Sequence, residues 1–234
     1  MDVRSFTVGP VAENCYVARR EGSDRGIVVD PGEEADRILA AVEELGIGVD
    51  AILLTHCHFD HIGAVAPVAK ATGAPVWCPE IEVPVLADIM SYVPWPGFGP
   101  FESYEADHTV KGGETLELAG MSIEVISTPG HSPGHVTYAI EDEPDDAGVA
   151  QSGEAGGRAG DEPAALFSGD VLFQGSVGRV DLPGGDWPTL LSSIETLVEK
   201  FGADTTVYPG HMGITTLGQE RATNPFLREL ASNR

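Results

Sequence analysis

The sequence predicts a mixed α/β fold in which a set of strands followed by a helix occurs twice. Short apolar runs of strand length alternate with stretches whose apolar residues recur at helical spacing. The chain has 234 residues, enough for a single large domain over 1–234 with a substantial core. Histidine or aspartate follows several of the predicted strands closely, and strand ends gathered at one edge of a sheet can converge on one cleft.

Elements of the first third are predicted from apolar runs, turn residues and helical spacing. Ile38, Val42 and Leu45 predict a helix over 33–45, and Gly46 ends it. A second, short helix is predicted over 62–73, closed by Gly73. The predicted strands of this part are 5–8, 15–18, 26–29, 51–54 and 75–78.

The stretch 81–107 differs in kind, because it combines aromatic residues with Pro94, Pro96 and Pro100, which break regular structure. Two interpretations are open. An aromatic, proline-rich stretch of this length can cover a substrate cleft. It can equally be a loop that packs onto the core to bury its rings.

The second half adds further strands and one long helix. Asp186 can cap a helix whose apolar face runs from Leu190 to Phe201, and a short helix is predicted to begin near Asn224. Residues 141–163 are rich in acidic and small residues, which predicts a flexible acidic surface insertion within a hairpin. The predicted strands are 114–118, 121–127, 136–140, 164–168 and 205–208.

The composition of the chain limits which partners and which compartment we expect. The net charge of -24 repels nucleic acid and disfavours anionic membranes, so we expect neither as a partner. The same charge destabilises a compact state in low salt, which leads to the hypothesis of a halophilic protein that works in a very salty cytoplasm. The first residues contain no apolar signal-peptide region, and three cysteines without a Cys-x-x-Cys motif fit a reducing compartment. A cytoplasmic location is therefore expected.

The segment Thr55-His56-Cys57-His58-Phe59-Asp60-His61 is the most informative part of the sequence. It holds three of the seven histidines of the chain, in a predicted strand-to-helix turn. A turn can divide three imidazoles and one carboxylate between two neighbouring ions, and such groups suit zinc, iron or manganese. An exposed polar turn with Asp60 as a helix cap is the alternative. Cys57 can be a ligand, a nucleophile or a buried apolar filler.

Three more residues of the same chemical kind follow later strands. His131, Asp170 and His211 each come directly after a glycine, in Pro-Gly-His, Ser-Gly-Asp and Pro-Gly-His. Glycine lets the backbone turn sharply and places the next side chain at a crowded site. Each histidine alone is weak evidence, but the set together with the 55–61 segment predicts a metal centre.

The chain resembles the metallo-β-lactamase-fold hydrolases. The motif Thr-His-x-His-x-Asp-His at 55–61, the later His131, and the motifs at 168–170 and 209–211 match that family in order and spacing. Within the family, the segments 168–173, 178–186 and 224–227 make it most similar to the short form of the glyoxalase II-like (hydroxyacylglutathione hydrolase-like) enzymes. The resemblance implies a four-layer αββα sandwich, with the metals at one edge between the sheets.

The resemblance also implies two divalent metal ions, with zinc expected and iron or manganese as alternatives. It assigns His56, His58 and His131 to one ion, Asp60, His61 and His211 to the other, and Asp170 as a bridge between the two ions. Asp60 and Asp170 would be the catalytic carboxylates.

The implied reaction is hydrolysis of a thioester of a low-molecular-weight thiol, of the S-lactoylglutathione kind. Two ions about 3.5–4 Å apart make a bridging water acidic enough to be hydroxide near neutral pH. The metal-bound hydroxide attacks the carbonyl, and a thiolate leaves readily because its pKa is low. An iron-dependent persulfide dioxygenase of the same fold is the alternative enzyme. A β-lactamase is disfavoured by Asp60, where those enzymes commonly differ, and by the absence of an export signal.

Some residues keep more than one interpretation. Arg179 matches a basic substrate-binding residue of the longer glyoxalase II form, but it can also form an ion pair with Asp181. The segment after Asn224 is shorter than the basic segment of the longer glyoxalase II form. The thiol part of the substrate can therefore be glutathione, another small thiol or coenzyme A. His135 can bind a further metal, shuttle a proton, orient a metal ligand or stabilise its turn. Asp30 can orient a ligand or simply form a turn.

Overall fold

The computed structural model describes residues 1–141 and 164–232. The predicted acidic insertion at 141–163 lies outside these residues apart from Glu141, so it stays a prediction, as does the single domain over 1–234. No helix of the described residues has the length and apolar character needed to cross a lipid bilayer.

The first half of the chain forms one sheet of six strands in chain order. Its first two pairs are antiparallel, and the pairs from β3 onward are parallel. The strands are β1 (Asp2–Val8), β2 (Glu13–Arg19), β3 (Arg25–Val29), β4 (Gly48–Leu53), β5 (Val76–Pro79) and β6 (His108–Val110).

The second half forms a six-stranded sheet of order β14-β13-β10-β9-β8-β7 and a two-stranded hairpin of β11 and β12. In the sheet, only β10 and β13 are paired in parallel. The strands are β7 (Thr115–Leu118), β8 (Met121–Ser127), β9 (Val136–Glu141), β10 (Ala164–Gly169), β11 (Leu172–Phe173), β12 (Ser176–Val177), β13 (Thr206–Pro209) and β14 (Thr215–Thr216).

Helices cover the outer face of each sheet or connect its strands. The described helices are α1 (Ala35–Leu45), α2 (Phe59–Ile62), α3 (Val65–Thr72), α4 (Val83–Ala87), α5 (Ile89–Tyr92), α6 (Trp187–Lys200), α7 (Leu217–Thr223) and α8 (Pro225–Ser232), with a 3₁₀ turn at Glu80–Glu82 before α4. Asp186 caps α6 as predicted, since its carboxylate accepts a hydrogen bond from the main-chain N–H of Thr189 at 2.9 Å.

Three apolar clusters show the order of the layers. In β3, Ile27 and Val29 face the second sheet, whereas Val28 packs with the helices of the first half. In β10, Phe167 faces the first sheet and Leu166 packs with α6. Both faces of β3 and β10 are thus buried, which explains why these strands appear in the sequence as continuous apolar runs. The result is the four-layer αββα sandwich that the resemblance implies, and the predicted fold class is confirmed.

Some helices and strands differ from those predicted from the sequence. The helix predicted over 62–73 is α3, which begins only at Val65, because the main-chain N–H of Ala64 donates to the carbonyl oxygen of Pro31 at 3.0 Å and Ile62 ends the separate helix α2. The stretch 81–107 contains α4 and α5, so it is not a loop throughout. The short elements β6, β11, β12, β14 and α7 were not predicted.

Candidate metal centre

Four strand ends meet at one edge between the sheets. Strands β8, β10 and β13 run in one direction, because β8 and β10 are both antiparallel to β9 and β13 is parallel to β10. Their carboxyl ends therefore share an edge, where His131, Asp170 and His211 follow them. In the first sheet, β4 leads directly into the 55–61 segment. The main-chain N–H of Val136 donates to the carbonyl oxygen of Thr55 at 2.9 Å and joins the two edges.

Two of the glycines act as the sequence predicted. Gly130 has φ 128° and Gly169 has φ 46°, both in the left-handed region that favours glycine. A Cβ atom on Gly130 would lie 2.7 Å from Cβ of Leu190. One on Gly169 would lie 2.6 Å from Nε2 of His135. Both positions therefore require glycine for conformation and for space, and each delivers the next side chain to the centre.

The first group of donor atoms consists of three imidazole nitrogens. Nδ1 of His58 lies 3.1 Å from Nε2 of His56 and 2.8 Å from Nε2 of His131. Tetrahedral zinc with Zn–N bonds of about 2.0–2.1 Å separates its ligand nitrogens by roughly 3.3 Å. The three nitrogens are thus close to the spacing that one ion needs.

The second group consists of Asp60, His61 and His211, each with one donor atom within 4.8 Å of the others. Oδ2 of Asp60 lies 3.3 Å from Nε2 of His211 and 3.8 Å from Nε2 of His61. A carboxylate and two imidazoles form a donor set typical of zinc, iron or manganese.

Asp170 lies between the two groups. Its Oδ2 is 3.4 Å from Nε2 of His131 and 3.6 Å from Nε2 of His211, and its Oδ1 is 3.4 Å from Nε2 of His61. The carboxylate therefore faces ligand nitrogens of both groups. The seven predicted residues converge on one centre with two groups of donors suited to a dinuclear metal site, and their roles as ligands stay a prediction.

The outer nitrogens of the imidazoles are held by hydrogen bonds. Nδ1 of His131 donates to the carbonyl oxygen of Arg179 at 2.7 Å, and Nδ1 of His211 donates to that of Ala12 at 3.2 Å. Nδ1 of His61 lies 3.1 Å from a carboxylate oxygen of Asp30. Such bonds fix the tautomer and turn the free Nε2 toward the site, as is usual for metal-binding histidines.

Unsatisfied polar atoms at the centre also fit a metal. Nε2 of His61 and Oδ1 of Asp170 are buried, and neither has a hydrogen-bond partner among the described residues. Buried polar atoms without partners are costly and therefore rare in native proteins. A cation between the two groups would satisfy both atoms.

The electrostatics divide the histidines into two classes. Burial, together with the neighbouring imidazoles, lowers the pKa of His56 well below its usual value and lowers the pKa of His58 to about 4. Burial also opposes protonation of His61, but the carboxylates of Asp170 and Asp60 outweigh it and raise the pKa of His61. Burial likewise opposes ionisation of Asp170, and His61 and His131 hold the pKa of that carboxyl well below its usual range. His56 and His58 are thus prepared as neutral imidazoles and Asp170 as a carboxylate.

Asp30 and His135 hold residues of the centre in place through hydrogen bonds. Asp30 accepts hydrogen bonds from the main-chain N–H and the hydroxyl of Thr55 at 2.7 and 2.6 Å, besides contacting His61. Nε2 of His135 accepts from the main-chain N–H of Asp170 at 3.0 Å, and its Nδ1 lies 3.0 Å from the hydroxyl of Thr128. Both residues thus position predicted ligands, which was one of the open interpretations for each.

Glu13 is a buried residue near the site that the sequence analysis missed. Its Oε1 lies 3.7 Å from Nδ1 of His61, and neither carboxylate oxygen has a hydrogen-bond partner among the described residues. Burial raises its pKa well above the usual value for glutamate. The only sequence signal was a charged residue at the start of an otherwise apolar strand, β2.

Residues of the first sheet hold the segment that carries His211. Nδ2 of Asn14 donates to the carbonyl oxygens of Pro209 and Met212 at 3.1 and 2.9 Å. The hydroxyl of Tyr16 donates to the same oxygen of Pro209 at 2.6 Å. Strand β2 therefore fixes the segment of a predicted ligand almost 200 residues later in the chain.

A cavity of about 1010 Å³ opens beside the centre. His58, Asp60, His131, Asp170 and His211 line it, so the donor groups are next to its interior. The stretch 81–107 contributes to its lining through α4, α5 and Trp95. Its other rings, those of Phe98, Phe101 and Tyr104, pack against the core of the first half. The core-packing interpretation therefore fits these rings, and the interpretation as cover of a substrate cleft stays a prediction.

The structure also shows the contacts of the two other candidates, Arg179 and Cys57. Nε and Nη2 of Arg179 donate to the two carboxylate oxygens of Asp181, each at 2.6 Å, so the ion-pair interpretation fits the geometry. Cys57 is fully buried, and its Sγ lies 3.5 Å from Sγ of Cys78. Burial raises the pKa of the Cys57 thiol well above its usual value, which fits an apolar filler.

Comparison with known proteins agrees with this geometry. The family described as the Metallo-beta-lactamase superfamily matches residues 8–145. The chain is 33% identical to hydroxyacylglutathione hydrolase GloC of Haemophilus influenzae, over 97% of this chain and 98% of that protein.

Two solved structures are similar over nearly the whole chain. The BLEG-1 B3 metallo-beta-lactamase has a TM-score of 0.83 at 35% identity, covering 97% of this chain and 99% of its own. TTHA1623 in a di-iron-bound form has a TM-score of 0.75 at 36% identity, covering 96% of this chain and 100% of its own.

Proposed function

Because the chain belongs to the metallo-beta-lactamase superfamily, we propose that it is a binuclear metal-dependent hydrolase that cleaves a thioester of a low-molecular-weight thiol. The observation that carries the proposal is the placement of Asp170 between the two donor groups, with its Oδ1 buried and unpaired among the described residues. The similarity to GloC supports a hydroxyacylglutathione hydrolase-like reaction.

The residues of the chain have distinct tasks in this reaction. His56, His58 and His131 would hold one ion, and Asp60, His61 and His211 the other, with Asp170 shared between them. Two such ions, when bound, supply a nucleophile at neutral pH and Lewis-acid stabilisation of the oxyanion that develops on the carbonyl. Zinc fits these donors, and the di-iron form of TTHA1623 keeps iron as an alternative.

The carboxylate of Asp60 also has a role in proton transfer. Burial opposes ionisation of Asp60, but His61 and His211 outweigh it and lower the pKa of that carboxyl. At neutral pH, Asp60 is thus an ionised carboxylate at the cavity wall, and its oxygen that does not hold the ion would accept a proton from the attacking water. The leaving thiolate needs little help, because the pKa of a thiol is about 8.5.

Metal content and turnover measured on one sample test the proposal. Protein purified in high salt is analysed for its elements, and S-lactoylglutathione hydrolysis is assayed on the same preparation. Two ions per chain with thioester hydrolysis is the expected result. One iron per chain, no hydrolysis and oxygen uptake with a persulfide would assign the chain to the dioxygenase alternative.

Hydrolysis of β-lactams is a second candidate, favoured by the similarity to the BLEG-1 B3 metallo-beta-lactamase. In the sequence, Asp60 argues against β-lactam hydrolysis. The similarity to the BLEG-1 enzyme weakens that argument. A chromogenic cephalosporin assayed beside the thioester decides between them. A kcat/KM for the cephalosporin above that for every thioester would replace our proposal with this one.

A further inference from the structure

The lining of the cavity beside the metal centre is mainly apolar. Part of it comes from the stretch 81–107 and includes Ile81, Ile89 and Trp95. Another part comes from the second half of the chain and includes Phe173 and Leu182. A cavity of this size can enclose a small organic molecule, and apolar walls favour burial of an apolar group.

Several apolar side chains of this cavity are open to solvent. Ile81 is 63% exposed, Tyr92 is 53% exposed and Met212 is 57% exposed, and all three line the cavity. Large apolar side chains gathered around a concave site mark a binding surface, whereas single exposed ones need no explanation.

The cavity offers no uncommitted cation among the described residues. Among the described residues that line the cavity, Arg179 is the only lysine or arginine. Both carboxylate oxygens of Asp181 already bind the guanidinium of Arg179. The guanidinium carbon also lies 5.7 Å from the centre of the Trp95 ring. The acid in the wall, Glu82, is likewise satisfied, since it accepts from the hydroxyl of Ser132 at 2.7 Å.

We propose that this cavity selects thioesters whose acyl group is apolar and whose thiol part carries no carboxylate or phosphate. The inference rests on the proposed thioester hydrolysis and names its substrate class. The apolar walls bind the acyl group next to Asp170 and the donor histidines. Among the described residues, an anionic carrier such as glutathione or coenzyme A would find no uncommitted lysine or arginine in the cavity to pair with, and the net charge of -24 adds repulsion.

The proposal gives a quantitative expectation. Burying one methylene contributes about 0.8 kcal/mol, which corresponds to roughly a fourfold gain in kcat/KM when the burial is complete. For acyl esters of N-acetylcysteamine, an uncharged thiol, kcat/KM should rise by about tenfold from butanoyl to hexanoyl. The lactoyl ester, whose hydroxyl is costly to bury, should lie below the butanoyl ester.

The carrier is tested by holding the acyl group constant. Hexanoyl-N-acetylcysteamine is compared with hexanoylglutathione in roughly 1 M potassium chloride, where the screening length is about 3 Å. Long-range repulsion is then suppressed, so the comparison measures the cavity itself. The uncharged carrier is expected to have the higher kcat/KM by about tenfold.

Two exposed isoleucines give a matched pair of variants. Ile81 lines the cavity, whereas Ile214, 46% exposed, is outside the lining. Ile81→Ser should lower the hexanoyl-to-acetyl ratio of kcat/KM by about threefold, and Ile214→Ser should leave that ratio unchanged. An equal ratio in both variants would overturn the placement of the acyl group in this cavity.

A binding measurement separates the failure of this inference from failure of the proposed function. Calorimetry of the metal-free protein with S-hexyl-N-acetylcysteamine and S-hexylglutathione, which are thioethers, needs no turnover. Tighter binding of the uncharged thioether supports the inference. Thioester turnover with lactoylglutathione as the best substrate would overturn the inference and keep the function. No turnover of any thioester by protein loaded with two ions would overturn the function.

Discussion

Oδ1 of Asp170 lies 3.4 Å from Nε2 of His61 at the buried centre of the site, and neither atom has a hydrogen-bond partner among the described residues. Leaving a buried polar group unpaired costs about 1–3 kcal/mol. A fold that keeps both atoms in this state is expected to gain that energy back from a bound cation. The pair is therefore the most direct structural sign of a metal centre.

Replacing Asp170 by asparagine should lower metal content and activity together. The amide keeps the size of the side chain but loses the negative charge that faces both donor groups. We expect the loss of at least one ion per chain and a fall in kcat/KM of at least about 100-fold, measured by elemental analysis and thioester hydrolysis. Asp204→Asn, at an exposed position, is the control. Two ions and full activity in Asp170→Asn would refute the bridging role.

Replacing His135 by alanine should weaken metal binding without removing a ligand. The change leaves the main-chain N–H of Asp170 without its acceptor, since Nε2 of His135 lies 3.0 Å away. We expect a loss of stability of about 1–3 kcal/mol and a loss of metal affinity of roughly 10–100-fold. Urea unfolding of the metal-free protein measures the stability, and competition with a chelator measures the affinity. His135→Gln should recover part of the affinity, whereas unchanged affinity in His135→Ala would limit the residue to a structural role.

Replacing Gly130 by alanine should destabilise the fold far more than the same change at Gly22. Both glycines have positive φ, 128° and 74°, but only the Cβ added at Gly130 would meet neighbouring atoms, those of Leu190. The strain of a left-handed backbone alone costs about 1–2 kcal/mol. Gly130→Ala should therefore cost at least about 2 kcal/mol more than Gly22→Ala in urea unfolding. Similar costs at both positions would show that α6 can move away from this turn.

The cysteines should be inert in the folded protein. Burial raises the pKa values of the Cys15 and Cys57 thiols well above their usual value, so no thiolate forms at pH 8. Alkylation by iodoacetamide should then stay negligible between pH 7 and 9, and all three thiols should react once urea unfolds the chain. Cys57→Ala should keep both ions and full activity. Rapid native labelling of Cys57 would instead favour a nucleophilic role.

Stability should rise with potassium chloride. The chain has 37 acidic and 13 basic residues, so acids outnumber lysine and arginine by 24. The three lysines are already paired with Glu102, Glu80 and Glu124. Between roughly 0.1 and 3 M salt we expect Tm to rise by about 10 °C, or about 3 kcal/mol. Sucrose, which acts by exclusion alone, should give a smaller rise. Full stability in dilute buffer would refute the halophile hypothesis.

The sequence predicted most of the fold because the central strands are buried on both faces. The strands β3 and β10 contain continuous apolar runs with turn residues after them, and this pattern is visible without a structure. The short elements β6 and β14 were missed because they have three and two residues, too few to show a period. Their pairing is decided by neighbouring strands rather than by local preference.

The metal centre was predicted as a set of residues but not as a geometry. The residue types and their positions after strands were visible, and the resemblance supplied the division into two groups. Contacts such as that of Glu13 with His61 join residues that are far apart in sequence, so no local pattern reports them. The burial of that carboxylate depends on packing that only the folded chain creates.

The hydrogen bonds of Asn14 and Tyr16 to the Pro209–Met212 segment have a consequence for how the protein folds. The predicted ligand His211, near the carboxyl terminus, is positioned by a strand near the amino terminus. The two donor groups therefore reach their final spacing only after both sheets have docked. Ion uptake during refolding would then be a late kinetic event, governed by long-range contacts. Two fragments divided between the sheets would recover the centre only by reassociating.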